Sequence, residues 1–188
     1  MKNKIKIIAW LLMASLFTAS CSKVQHQEEP VKCNSIYHWK TTFDLDSSEI
    51  SFLKQHSIGR IYVRMFDVAI EFDNKKGLSE IVPIATTKFI SRIPNDIDVV
   101  PVTYITLEAL RAMSGKESEY ASLIVERLLA MGEYNKCGEI SEIQLDCDWT
   151  SSTKNNYIKL CTSVLDILKT KDIALSITVR AHQLQETP

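Results

Sequence analysis

Glu142-Ile143-Gln144-Leu145-Asp146-Cys147-Asp148-Trp149-Thr150 is the stretch on which the fold turns. Side chains of a strand alternate between two faces. Gln144, Asp146, Asp148 and Thr150 therefore share one face, and Ile143, Leu145, Cys147 and Trp149 the other. Ser151-Ser152-Thr153 follows as a helix start, and residues 154–169 carry a helical pattern. A strand that ends in carboxylates just before a helix is where a (β/α) enzyme keeps its chemistry.

The same rhythm runs outward from this segment. Residues 35–40 read as a first strand, Ser47-Ser48-Glu49 as the start of a helix reaching Gln55, and residues 60–68, after Gly59, as a second strand. Residues 71–93 hold a turn at Asp73-Asn74-Lys75-Lys76-Gly77 and an apolar stretch of ambiguous type. A third strand spans residues 98–106. Helical patterns follow over 107–112 and 119–131, broken around Ser114-Gly115. Residues 173–182 make a fifth strand.

Strands alternating with helices through right-handed crossovers predict a parallel sheet covered by helices, hence the α/β class. A doubly wound sheet and a (β/α)8 barrel both fit that rhythm. The faces favour the barrel. Ser176, Thr178, Arg180 and His182 oppose Ile177, Val179 and Ala181, while Tyr62 and Arg64 oppose Ile61, Val63 and Met65. Strands buried between two helical layers read as continuous apolar runs; here one face is polar, as in a barrel mouth. The other reading puts these polar residues in solvent on a mixed sheet. An eight-stranded barrel takes roughly 250 residues. The expectation is thus a partial (β/α)8, TIM-type barrel of about five βα units, shortened at its C-terminus, with a small open sheet as the alternative.

The N-terminus lies outside that rhythm. Lys2, Lys4 and Lys6 precede an apolar run over residues 7–17, and Thr18-Ala19-Ser20 lead into Cys21. This is the layout of a signal peptide over residues 1–20, too short for a confident membrane span. Leu16-Phe17-Thr18-Ala19-Ser20-Cys21 resembles a bacterial lipobox, with Thr18 where Leu or Val is commoner; an ordinary secretory peptide containing a Cys is the alternative. The resemblance implies a lipidated Cys21, a partner in membrane lipid, and a place in the bacterial cell envelope. Residues 21–32 then form a polar tether, and residues 33–188, roughly 155 of them, hold the folded domain.

Of five cysteines, Cys33, Cys137, Cys147 and Cys161 remain beside Cys21. An even number in an exported chain permits disulfides, but the spacing is not that of a metal site. A net charge of −1 gives no basic patch and no reason to invoke nucleic acid. With five glycines and no phosphate-binding or nucleophile-elbow motif, no cofactor is expected.

Tyr37-His38-Trp39-Lys40-Thr41, residues 60–67, Val100-Pro101-Val102-Thr103-Tyr104-Ile105 and Gln144–Thr150 resemble an uncharacterised family of Bacteroides-type lipoproteins, itself similar to glycoside hydrolase-like (β/α)8 barrels. Leu145-Asp146-Cys147-Asp148-Trp149 is also similar to the strand-four signature of family 18 chitinases, Asp-x-Asp-x-Glu, whose Glu is the general acid. Thr150 stands in that place here, and a hydroxyl does not protonate a leaving glycosidic oxygen as a carboxylic acid does. The resemblance thus leaves Asp146 and Asp148 matched and the acid absent.

Asp148 is then expected to serve as acid or base, with Asp146 raising its pKa by like charge. A second carboxylate belongs across the mouth: Asp67, ending the second strand, or more weakly Glu108. His38, Arg64, Arg180, His182 and Trp39 are the expected substrate-binding residues. Trp149 shares parity with Leu145 and reads as packed. Two other readings stay open: a buried ionic lattice of Asp146 and Asp148 with Arg64 and Arg180, and a metal held by His38, His182 and the aspartates. In function the chain reads as an envelope lipoprotein resembling carbohydrate-active barrel enzymes. The alternative is a non-catalytic glycan- or protein-binding lipoprotein or an inactive fragment.

Overall fold

A computed structural model describes residues 33–184. The expected signal peptide over residues 1–20, the expected lipidation at Cys21 and the expected tether lie outside the described residues. The elements are β1 (Asn34–His38), β2 (Thr42–Phe43), α1 (Ser47–Gln55), β3 (Ile58–Asp73), β4 (Leu78–Ile84), β5 (Lys88–Phe89), β6 (Asp98–Ile105), α2 (Leu107–Ala112), α3 (Glu117–Tyr134), β7 (Glu142–Asp146), α4 (Lys154–Lys169), β8 (Ala174–Ile177) and α5 (Ala181–Leu184).

Local chemistry accounts for most boundaries. The α1 cap sits one residue before the expected serines. The Asp46 carboxylate accepts from the backbone N–H groups of Ser48 and Glu49, and Glu49 reaches back to the Asp46 N–H at 3.0 Å. Thr106 caps α2 by accepting from Ala109 N–H. Between α2 and α3 the chain turns through Gly115 at φ 80°, a left-handed conformation that favours glycine. In α4, Tyr157, Leu160, Val164 and Leu168 recur at helical spacing and are all buried.

The main sheet has the order β1-β3-β6-β7-β8, all parallel, with β4 antiparallel to the far end of β3. Successive parallel strands are neighbours throughout. A doubly wound sheet would reverse this order at a switch point. With right-handed crossovers, an order that always steps the same way puts every crossover helix on one face. The core matches. Ile61, Val63, Val99, Ile143, Leu145 and Cys147 from the sheet form one cluster with Leu53 of α1, Leu110 of α2, Leu128 of α3 and Leu160 of α4.

Four segments differ from expectation. The opening stretch is a strand only as far as Asp146, so Asp148 and Thr150 lie beyond it. Residues 71–93 resolve as the end of β3, a turn in which Asp73 accepts from Lys75 and Lys76 N–H groups, then β4 and β5, so that no helix links β3 to β6. The second strand is correspondingly long. The fifth is short: it ends at Ile177, and His182 stands in α5 rather than at a strand end.

The polar face is concave. The rings of Tyr37 on β1 and Tyr62 on β3 stack 4.8 Å apart, the spacing of neighbouring strands, so both rings stand up side by side. Yet the Tyr37 hydroxyl donates to Gln144 Oε1 at 2.9 Å on β7, three strands away, and the Tyr62 hydroxyl to Glu142 at 3.4 Å, two strands away. Upright rings meet residues so many strands off only where the sheet curls and its normals converge. Gln144 continues the line by donating to Ser176 of β8 at 3.1 Å. Val100 and Val102 are buried beneath this network.

Candidate functional site

The strand register lays out the candidate residues. Asp67, Tyr104 and Asp146 are consecutive partners across β3, β6 and β7, forming one row at the carboxyl ends of the strands. One row deeper lie Arg64, Val102, Gln144 and Ser176. Asp148 follows two residues after Asp146, beyond the end of β7, and Thr178 and Arg180 follow β8.

Two of the three aspartates are tied to arginines. Arg64 grips Asp67 with a two-pronged guanidinium, Nε to Oδ1 at 2.5 Å and Nη2 to Oδ2, while its Nη1 donates to the Trp39 carbonyl at 3.2 Å. This pair is largely shielded from water. Arg180 likewise holds Asp148 through Nε and Nη2, at a more exposed position. Asp146 has no cationic partner in contact among the described residues. Its Oδ1 accepts from the Thr178 hydroxyl, and its other oxygen has no hydrogen bond among the described residues.

Burial is the largest influence on Asp146 and raises its carboxyl pKa above the ordinary 3.8. The Thr178 hydrogen bond pulls it down, Asp148 pushes it up, Arg180 lowers it and Asp67 raises it, with the rise prevailing. Tyr104 is also shifted upward, by burial first and then by Asp148 and its neighbours, so its phenol stays a neutral donor at physiological pH. The expectation gives the acid's role to Asp148 with Asp146 as perturber; in the structure Arg180 pairs with Asp148, and Asp146 accepts from Thr178.

Other expected residues fall elsewhere. Trp39 is on the concave side, stacked at 5.7 Å on Tyr37, with its indole part-exposed. His38 pairs in register with Val63 and so faces the apolar side. It packs edge-on against Phe43, its Nε2 lies 3.0 Å from the Thr42 carbonyl oxygen, and burial lowers its pKa. His38 is thus separated from the aspartates. Trp149 is buried, as its parity implies, and Thr150 is bonded to Thr153 and Ser152 in the turn that opens α4. Glu108 is exposed on α2. Among the described residues no three His, Cys, Asp or Glu side chains converge as metal ligands, and Cys33, Cys137, Cys147 and Cys161 are free thiols.

Tyr37, Tyr62 and Tyr104 escaped the sequence reading as site residues, although all three lie in or beside the stretches that carried the resemblance. Parity was the available signal. Tyr62 shares a face with Arg64, and Tyr104 precedes a helix start just as Asp148 does.

Comparison with described protein families, with curated proteins and with solved structures gives no match to this chain.

Proposed function

We propose that residues 33–188 form about five βα units of a (β/α)8-type barrel, on a lipoprotein anchored through Cys21 in the bacterial envelope, and that the concave face acts on a glycan. The carrying observation is the Asp67–Tyr104–Asp146 row at the carboxyl ends of parallel strands, where barrel enzymes place their sites. The sequential strand order and the curl support the barrel. The resemblance to glycoside hydrolase-like barrels supplies the substrate class.

In this reading Asp146 is the general acid. A carboxyl whose pKa is raised by burial keeps its proton to higher pH than an ordinary aspartate, and in this reading delivers it to the leaving glycosidic oxygen. Asp67, whose carboxylate Arg64 holds, is the partner carboxyl across the row and accepts from the attacking water through a remaining lone pair. Two strand spacings put its Cα about 10 Å from that of Asp146. An inverting pair needs its carboxyls roughly 6.5–9.5 Å apart, which leaves room for water.

The test is turnover by the full chain on a panel of aryl glycosides and neutral oligosaccharides, compared with Asp146→Asn. A fall in kcat of about a hundredfold or more is expected, with an unchanged circular dichroism spectrum. Full activity in Asp146→Asn removes Asp146 from the chemistry. A second reading, glycan binding without hydrolysis, is favoured by the Arg64–Asp67 and Arg180–Asp148 pairs, which engage both flanking carboxylates as a structural lattice would. Saturable glycan binding with no turnover by the wild-type chain selects it.

A further inference from the structure

The charges on the concave face are compensated in an uneven way. Arg64 is spent on Asp67 and Arg180 on Asp148, so both guanidiniums near the row already have carboxylate partners. An incoming anion would find no free cation among them and would face the carboxyl of Asp146. What remains open is a short polar pair. The Tyr104 hydroxyl has no hydrogen-bond partner among the described residues, and beside it, one strand over in register, stands the unbonded oxygen of Asp146. One group donates, and the other donates or accepts according to its proton. Nearby, the part-exposed Trp39 and Tyr37 add stacked rings on the same concave side.

An anionic ligand needs a free cation or a cluster of backbone N–H groups. This face offers no free guanidinium beside the row, because Arg64 and Arg180 are already paired. A ring of hydroxyls needs a donor, an acceptor and an apolar surface for its C–H face. Those are the groups left over once the ion pairs are formed.

Resting on the glycan reading above, we infer that Tyr104 and Asp146 are the ligand-contacting pair of the concave face and select an uncharged, hydroxyl-bearing sugar over an acidic one. Tyr104 is the residue this adds: its hydroxyl fixes the sugar relative to Asp146, and the flanking arginines act by neutralising Asp67 and Asp148 rather than by touching the ligand.

The experiment titrates the full chain with two oligosaccharides of equal length, a neutral glucose oligomer and an oligogalacturonate, at low ionic strength and neutral pH, following Trp fluorescence and calorimetry. The neutral oligomer is expected to bind at least tenfold more tightly than the acidic one. Tyr104→Phe, which keeps the ring and removes only the hydroxyl, is expected to lose about tenfold of that affinity, the worth of one hydrogen bond of about 1.4 kcal/mol. Equal or stronger binding of the acidic oligomer overturns the selectivity while leaving the glycan reading standing. An unchanged affinity in Tyr104→Phe removes Tyr104 from the contact. Binding of neither overturns the inference together with the reading on which it rests.

Discussion

Asp146 ends β7 and Asp148 follows two residues later, and the polar partner of each lies far along the chain. Arg180 reaches Asp148, and Thr178 reaches Asp146, each across 32 residues of sequence. The setting of Asp146 has a pH signature. Folding raises the Asp146 pKa, so the native state holds this proton more tightly than the unfolded chain does. Its contribution is therefore fully present below the ordinary value of 3.8 and is lost as pH rises through the raised native value. Asp146→Asn removes the titration. The wild-type chain is expected to lose stability relative to Asp146→Asn as pH rises above about 4, read as diverging urea midpoints. Parallel pH profiles would show that Asp146 titrates in the folded chain as it does in the unfolded one. The residue types of the site were legible in sequence, since alternation placed Asp146, Asp148, Arg64 and Arg180 on polar faces. Which aspartate receives the guanidinium was not, because a pairing across 32 residues leaves no mark in local pattern.

Elements with a strong local period were read closely, and those defined by their neighbours were not. Helix α4 begins and ends where the pattern of Tyr157, Leu160, Val164 and Leu168 places it. Its packing is correspondingly firm: Leu160 is wholly buried against the sheet, so Leu160→Ala is expected to lower unfolding free energy by about 3 kcal/mol. Chemical denaturation measures it, and a loss under about 1 kcal/mol would mean that the α4 face is not packed as described. Residues 71–93 were ambiguous for the opposite reason. Ile70, Phe72 and Leu78 of the β3–β4 hairpin are exposed, so the apolar residues there do not mark a buried face, and strand identity comes from the ladder between β3 and β4. The fifth strand misleads in the same manner. Alternation continues through Thr178, Arg180 and His182, but the Arg180 N–H is taken by the Gln183 side chain and the Gln183 amide donates to the Trp149 carbonyl at 2.7 Å. These contacts turn the chain into α5 where sequence alone extends the strand.

At the scale of the molecule, a one-sided core and a curled sheet leave β8 at an edge of the sheet among the described residues. Its sequence Ala-Leu-Ser-Ile carries neither charge nor proline, the usual guards of an open edge. Beside it a cavity of about 450 Å³ lies between α4 and β8, lined by Leu165, Leu175, Ile177 and Val179, and Ile158 and Ile177 are among its exposed apolar side chains. An unguarded edge next to apolar surface favours association. The full chain is expected to self-associate with rising concentration, and Ile177→Lys to shift it toward monomer, as read by sedimentation velocity. Concentration-independent sedimentation of the wild-type chain would show that the edge is covered.

What the amino-acid sequence determined by itself was the α/β class, the alternation of polar and apolar faces, the span of α4 and the residue types that gather at the strand ends. All of these follow from periods of two and of about 3.6 residues, which act over a single element. What only the tertiary structure decided was the sequential strand order, the curl that brings Tyr37 to Gln144, the placement of His38 away from the aspartates, and the pairing that leaves Asp146 without a cation while Asp148 has one. Each of these depends on which distant segments meet. The reason is physical: charge compensation and burial are sums over spatial neighbours, and those neighbours are chosen by chain topology.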